Sequence, residues 1–452
     1  MAKETEILAR FVQDFSLDQL DGKTMHLVRY CILDTIGSAL GAADSKEIRS
    51  ILKTWQQWSC LGENHRSAWA WGQNCKTNLL TAVLVNGLMC HELELDDVHT
   101  ASKSHIGAVV IPAAWAVAEA IGATGRELTE AVVVGYEVMG RVGMGMDVAS
   151  NRKRGWHTTG IIGTFGAAAA AARLLHLTIP QTVSALGMAG TQSSGLWAFL
   201  AEGSTCKKLH PARAAVNGVC AALLALSGMT GPTHILDAAD GGLYQAVSDS
   251  FDMHRITSGL GQDFVITRMD KKPYPCCRTT HHAIDAALQL QSKHFFRPED
   301  IAGILVETYD IGVLQCGFEK YPQSPVEAKF SIAFTCAVAF VYGSVTVGAF
   351  CQAVLENPQV KRIAKATKVI SSDLFTQRYP KRWGSRMTVT TADGRQYVCQ
   401  IDDMSGSVAV PLSEKQEQDK FRSLAESTLG QSAQPLMEQL LQIERLPTLP
   451  KI

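Results

Sequence analysis

The run GTFGAAAAAARLL, from Gly163 to Leu175, restricts the fold more than any other feature of the chain. Alanine favours helix, and a helix with hardly any side chain beyond a methyl lets neighbouring helix axes approach closely. Such a helix belongs in the centre of a bundle. The surrounding sequence supplies partners: apolar spacing predicts helices over Asp18 to Ala43, Asn78 to Leu93, Ile106 to Ile121, Glu130 to Met146 and Val216 to Leu226, with boundary signals at Gly122, Gly125 and Pro211. No stretch in this half alternates with period two for long enough to predict a sheet.

After about residue 265 the texture changes. Ile301 to Asp310 is rich in strand formers, and Arg386 to Ile401 reads as a hairpin turning at Ala392-Asp393-Gly394. Helical runs lie near Val326 to Tyr342 and Thr346 to Leu355, and Ser413 to Leu446 returns to helix. The expected fold class is mainly α. A large all-helical domain, 1–265 with 409–452, carries a smaller α+β domain, 266–408, inserted before the C-terminal helices.

Charge excludes some partners. Lys and Arg number 42 against 43 Asp and Glu, so nothing draws the chain non-specifically to nucleic acid or to an anionic membrane. No run reaches the roughly 18 apolar residues that read as a membrane span, and the mixed charges of MAKETEILARF do not read as a signal peptide. The cysteines, Cys60 and the adjacent Cys276 and Cys277 among them, form no disulfide framework, which suggests buried reduced thiols. A cytoplasmic protein is expected.

Four segments could carry chemistry. Between His91 and His105 lie four carboxylates and three imidazoles, Glu94, Asp96 and Asp97 among them. A loop of this kind between two buried helices can desolvate a carboxylate and a histidine together and so make an acid–base site. A solvated capping loop is the plain alternative. The metal reading lacks HExxH spacing or a cysteine pair, so no metal is expected. His157, in GWHTTG at the start of the alanine-rich helix, is placed to be neutral and to meet anions at a helix N-terminus. Lys207 and Lys208 precede a proline-marked helix in an apolar setting, where they could hold carboxylates or act in proton transfer. The lysine and the adjacent cysteines of KPYPCCRTTHH, Lys272, Cys276 and Cys277, are followed by His281, one turn on from Cys277. Shape and hydrogen bonding are expected there rather than covalent catalysis.

In order along nearly the whole chain, LDTIGSALGA, HELELDDVH, GWHTTG, KKLHPARAA, KPYPCCRTTHHAIDAA and EAKFSIAF resemble the MmgE/PrpD family. That resemblance implies a helical domain with a smaller α+β lid, a homodimer, and catalysis without metal or organic cofactor on a small di- or tricarboxylate. It implies an active-site cleft lined by Glu94, Asp96, Asp97, His105, His157, Lys207, Lys272 and Cys277. The family's mammalian decarboxylases carry a histidine where Cys277 stands and its methylcitrate dehydratases an acid. This weakens a methylcitrate-specific reading without choosing a reaction.

Dehydration and decarboxylation both need cations to hold carboxylates and an acid and base to move protons. His157 and Lys207 are expected to be the main proton-transfer residues, with His105 and Asp96 supporting them. Glu94, Asp97, Lys208, Lys272, Cys277 and His281 are expected to touch substrate. The alternatives are an epimerase of an imino- or amino-dicarboxylate working by 1,1-proton transfer, and a non-catalytic binding protein that retains the fold.

Overall fold

The computed structural model describes residues 3–58 and 66–452; Cys60 lies outside them, and the other eleven cysteines are free thiols. Contacts divide the chain into two compact units. The larger holds Met1–Trp197, Cys206–Met269 and Ser413–Ile452; the smaller holds Ala198–Thr205 and Asp270–Leu412. The fold is mainly α.

The larger unit is a helical bundle. Its principal helices are α1 (Gly22–Leu40), α2 (Leu79–Glu92), α3 (Gly107–Ile121), α4 (Gly125–Gly145), α5 (Thr158–Leu174), α6 (Ile179–Gly190) and α7 (Leu209–Leu226). The alanine-rich α5 lies in the middle, packed against α3, α4, α6 and α7, with all but one of its residues buried. Close approach explains its composition. A Cβ on Gly218 of α7 would come within 2.5 Å of the Thr164 carbonyl oxygen and of Ala167 Cβ, so only glycine fits. Local signals set the helix ends. The Asn78 side chain caps α2 by accepting from Thr81 N at 3.0 Å. Thr124 and Glu127 form a capping box at α4. Gly122 ends α3 in the left-handed region at φ 73°.

Two features depart from the sequence reading of this half. A hairpin, Ser67–Ala70 with Cys75–Asn78, pairs antiparallel; strands of four residues are too short to show a period. The stretch Thr205–Leu226 also has the length and composition of a membrane-crossing helix. The expectation from uninterrupted apolar runs missed it because Lys207, Lys208, His210 and Arg213 break the run. Most of it is buried inside the structure, where α7 packs on α2, α5 and α6 as a core helix.

The last helices belong to this unit as well. The helix Glu414–Leu429 lies on α1. From it Lys420 reaches Asp34 Oδ1 at 2.6 Å and the backbone oxygen of Leu95 at 2.7 Å.

The smaller unit is α+β. A four-stranded sheet runs β2-β1-β3-β4, where β1 is Ile301–Thr308, β2 Thr367–Ser371, β3 Ser385–Thr391 and β4 Gln396–Ile401. The β1–β2 pair is parallel and the other two pairs are antiparallel. Alternate burial along β3 shows one covered face. The helix His281–His294 packs against β3 and β4, and against the helix Ile332–Tyr342. The turn between β3 and β4 has Gly394 at φ 82°, as the Asp-Gly signal suggested. β2 was not anticipated, since its five residues are only partly buried or exposed.

Candidate active site

In the larger unit the segment from His91 to His105 leaves the end of α2, turns back, and enters α3. The turn is tight: His99 and Ser104 exchange backbone hydrogen bonds at 2.8 and 3.3 Å, and the Ser102 and Ser104 hydroxyls lie 2.6 Å apart. Two non-glycine residues here sit in the left-handed region, Glu94 at φ 58° and Lys103 at φ 52°. Strain of this kind costs on the order of 1–3 kcal/mol and persists where surrounding structure imposes it.

Asp96 is the hub. It is wholly buried, and its carboxylate meets His91 Nδ1 at 2.9 Å and His105 Nδ1 at 3.0 Å. His105 Nδ1 also lies 3.0 Å from the backbone oxygen of Asp97. Carboxylate and carbonyl oxygens only accept, so both Nδ1 atoms act as donors. His105 is tied to α5 as well, since its backbone N–H donates to Thr159 Oγ1 at 3.1 Å.

Beside this pair stand a cation and two further imidazoles. The buried Lys207, on the turn leading into α7, pairs with Glu94 Oε1, and Glu94 Oε1 is 3.2 Å from His91 Nε2. His157 caps α5. Its ring lies 6.4 Å from that of His105 and 5.0 Å from that of His210. His157 Nδ1 and His210 Nδ1 are 2.9 Å apart. Burial, followed by the neighbouring His210 and Lys207, pushes His157 well below the usual imidazole range. Burial and Lys207 bring His210 to about 4. Both rings are therefore neutral near pH 7, one Nδ1 donating to the other. Trp197 closes this end, 5.4 Å from His157, with the Arg152 guanidinium 4.1 Å from the centre of its ring.

The structure thus brings Glu94, Asp96, His105, His157 and Lys207 into one buried constellation, and adds His91 and His210. His91 was visible only as part of a dense polar run. His210 stood three residues after Lys207, just ahead of Pro211, a spacing that could have marked it. Two expected substrate contacts are engaged by the protein itself. Asp97 accepts from Gly107 N at 2.9 Å and from the Tyr136 hydroxyl at 2.7 Å. Burial and the charge of Asp34 raise its carboxyl to about 7. The Lys208 ammonium pairs with Glu47 at 2.7 Å and with Glu92.

Lys272, Cys277 and His281 form a second buried cluster in the smaller unit. Arg278 Nη1 donates to His281 Nδ1 at 3.1 Å, and His281 Nε2 faces the Cys276 carbonyl at 3.3 Å. Both ring nitrogens are engaged, which differs from the expected contact with substrate. It also leaves Cys277 without His281 as a base; the Cys277 sulfur instead accepts from Gln315 Nε2 at 3.7 Å. Burial, then Arg278 and Lys272, hold His281 well below its ordinary range.

The larger unit thus holds a buried constellation of carboxylates and imidazoles, and the α+β unit follows it in sequence. The MmgE/PrpD N-terminal domain matches residues 6–256 and the MmgE/PrpD C-terminal domain residues 274–443, so the chain belongs to the MmgE/PrpD family. It is similar to a cis-aconitate decarboxylase-like protein of Aspergillus oryzae, 29% identical over 79% of this chain and 78% of that one. It is also similar to human cis-aconitate decarboxylase, 27% identical over 94% and 88%, and to the 2-methylcitrate dehydratase of Salmonella typhimurium, 21% identical over 81% and 78%. The protein is an enzyme of the lyase type.

Proposed function

We propose that this lyase acts on a small di- or tricarboxylate of the cis-aconitate or 2-methylcitrate kind, by acid–base catalysis without a cofactor. The observation that carries the reading is the Asp96–His105 pair beside His157 and Lys207, buried together in the larger unit. His105, oriented through Nδ1, gives or takes a proton at Nε2. His157 is neutral and so available as a base or as a hydrogen-bond partner to an anion. The Lys207 ammonium offsets charge that develops on a substrate carboxylate, with Glu94 holding it in place.

In decarboxylation the bond to the departing carboxylate breaks, CO₂ leaves, and the electron pair passes into the adjoining unsaturated acid. A histidine then protonates carbon. In dehydration a base takes the proton beside a carboxylate, and an acid protonates the departing hydroxyl. The same groups serve both. In this reading His105, first expected in a supporting place, takes a principal one, supported by its contact with buried Asp96. Of the two reactions, decarboxylation is favoured by the identity to the decarboxylase and its like protein, 27–29% against 21%.

The test is proton NMR in D₂O with cis-aconitate, citrate, 2-methylcitrate and iminodisuccinate supplied in turn. Loss of CO₂ from cis-aconitate is the expected result, and an alkene formed from 2-methylcitrate would identify the dehydratase. Deuterium uptake into iminodisuccinate with no other change would replace the lyase reading with epimerisation. Inertness toward all four by folded protein would overturn the substrate class.

A further inference from the structure

We propose that His91, Asp96 and His105 also form a binding site for a divalent transition-metal ion, and that an ion held there inhibits the enzyme. One potential ligand atom from each residue lies within 4.8 Å of the other two. The Asp96 carboxylate is already 2.9 and 3.0 Å from the two Nδ1 atoms. Metal–ligand bonds of about 2.0–2.2 Å at tetrahedral angles put neighbouring ligand atoms roughly 3.3–3.5 Å apart. The carboxylate and each imidazole need open by only a few tenths of an ångström. Two imidazoles and one carboxylate suit zinc, cobalt and nickel rather than magnesium or calcium, and three protein ligands leave a position for water or a carboxylate.

The surroundings fit the ion. A metal-bound histidine commonly donates its other N–H to a carboxylate. Glu94 Oε1 stands 3.2 Å from His91 Nε2 and is itself fixed by Lys207. Around the two imidazoles stand two carboxylates, Asp96 and Glu94, against one ammonium, Lys207, an excess of acidic groups that suits a divalent cation. The Asp97 carbonyl, 3.0 Å from His105 Nδ1, is a further oxygen within reach.

Binding requires each imidazole to give up its Nδ1 proton, because the metal takes that lone pair. The nitrogen that His105 uses for proton transfer then becomes a fixed donor. Inhibition, unlike binding, rests on the catalytic role proposed above for His105.

The experiment uses chelator-stripped enzyme titrated with Co²⁺ alone and then with Zn²⁺. Saturation at one equivalent per chain is expected, with the visible absorption of a low-coordinate cobalt site that Zn²⁺ displaces. Asp96→Asn and His91→Gln should each weaken Co²⁺ binding at least about 100-fold, and Glu94→Gln about 10–100-fold. In the turnover assay, saturating Zn²⁺ should lower the rate at least tenfold, restored by chelator. No saturable Co²⁺ binding by the wild type, or wild-type affinity in both folded ligand variants, would overturn the site. Saturable binding in enzyme inert toward every polycarboxylate would keep the site and sink the substrate reading instead. Undiminished turnover with Zn²⁺ bound would remove the inhibition.

Discussion

The two units each bury histidines beside a basic residue, and they do opposite things with them. In the larger unit the imidazoles of His91 and His105 face a carboxylate, and Lys207 faces another. In the smaller unit His281 faces a guanidinium, and the compensating carboxylate, Asp270, is given to Arg278 at 3.2 Å. A carboxylate at Nδ1 makes that nitrogen a donor. An arginine there makes it an acceptor and fixes the ring as neutral. Partner chemistry, more than residue type, separates the two histidine environments.

The sharpest way to break this contrast is to remove one histidine from each cluster. His105→Ala should lower turnover by about 10²–10⁴-fold with the fold retained, read by steady-state kinetics beside circular dichroism. Activity near wild type would place the proton-transfer group elsewhere. In the smaller unit the larger effect should be on stability. Arg278→Met removes the guanidinium that pairs with buried Asp270 and donates to His281 and the Ser405 carbonyl, a loss of about 3–5 kcal/mol, to be read from urea unfolding. An unchanged midpoint would mean that the pair holds nothing together.

Acid should strain both clusters. Burial holds His99 and His282 near about 3 and His210 near about 4, with His157 and His281 also low. Their folded values lie below the unfolded value of about 6.5, so the stabilisation is complete above that pH and is lost as pH falls toward 4. Each proton that only the unfolded chain takes up costs about 1.4 kcal/mol per pH unit. Asp97, Glu119 and Glu137 work in the opposite sense. Their raised values, about 7 for Asp97, penalise the fold as pH rises, but they are three groups against five. Thermal unfolding between pH 4.5 and 7.5 should therefore show a falling midpoint on the acid side, and a flat profile would contradict the buried neutral rings. The smallest effect is expected at Lys208. Lys208→Gln should change kcat/KM by less than about threefold, because its ammonium pairs with Glu47 and Glu92, and a loss comparable to that of His105→Ala would return it to the substrate site.

Much of this was legible beforehand. The alanine run placed α5 at the centre because small residues admit close neighbours, and the structure puts Gly218 against Thr164. The segments carrying His105, His157 and Lys207 were visible because polar residues interrupt otherwise buried stretches. What a linear reading could not give was pairing. That Asp96 serves two histidines while its neighbour Asp97 turns to Gly107 and Tyr136 depends on a backbone turn, with Glu94 in an unusual conformation, that no period encodes. Short strands such as Ser67–Ala70 and Thr367–Ser371 escaped for lack of length.

The grip of Lys420 on the Leu95 carbonyl joins positions 325 apart in the chain, with the whole smaller unit made between them. On the ribosome, then, the loop that carries Asp96 waits without this anchor until the intervening unit has emerged. The nascent helical body spends that interval with the α1 surface that later receives Glu414–Leu429 uncovered.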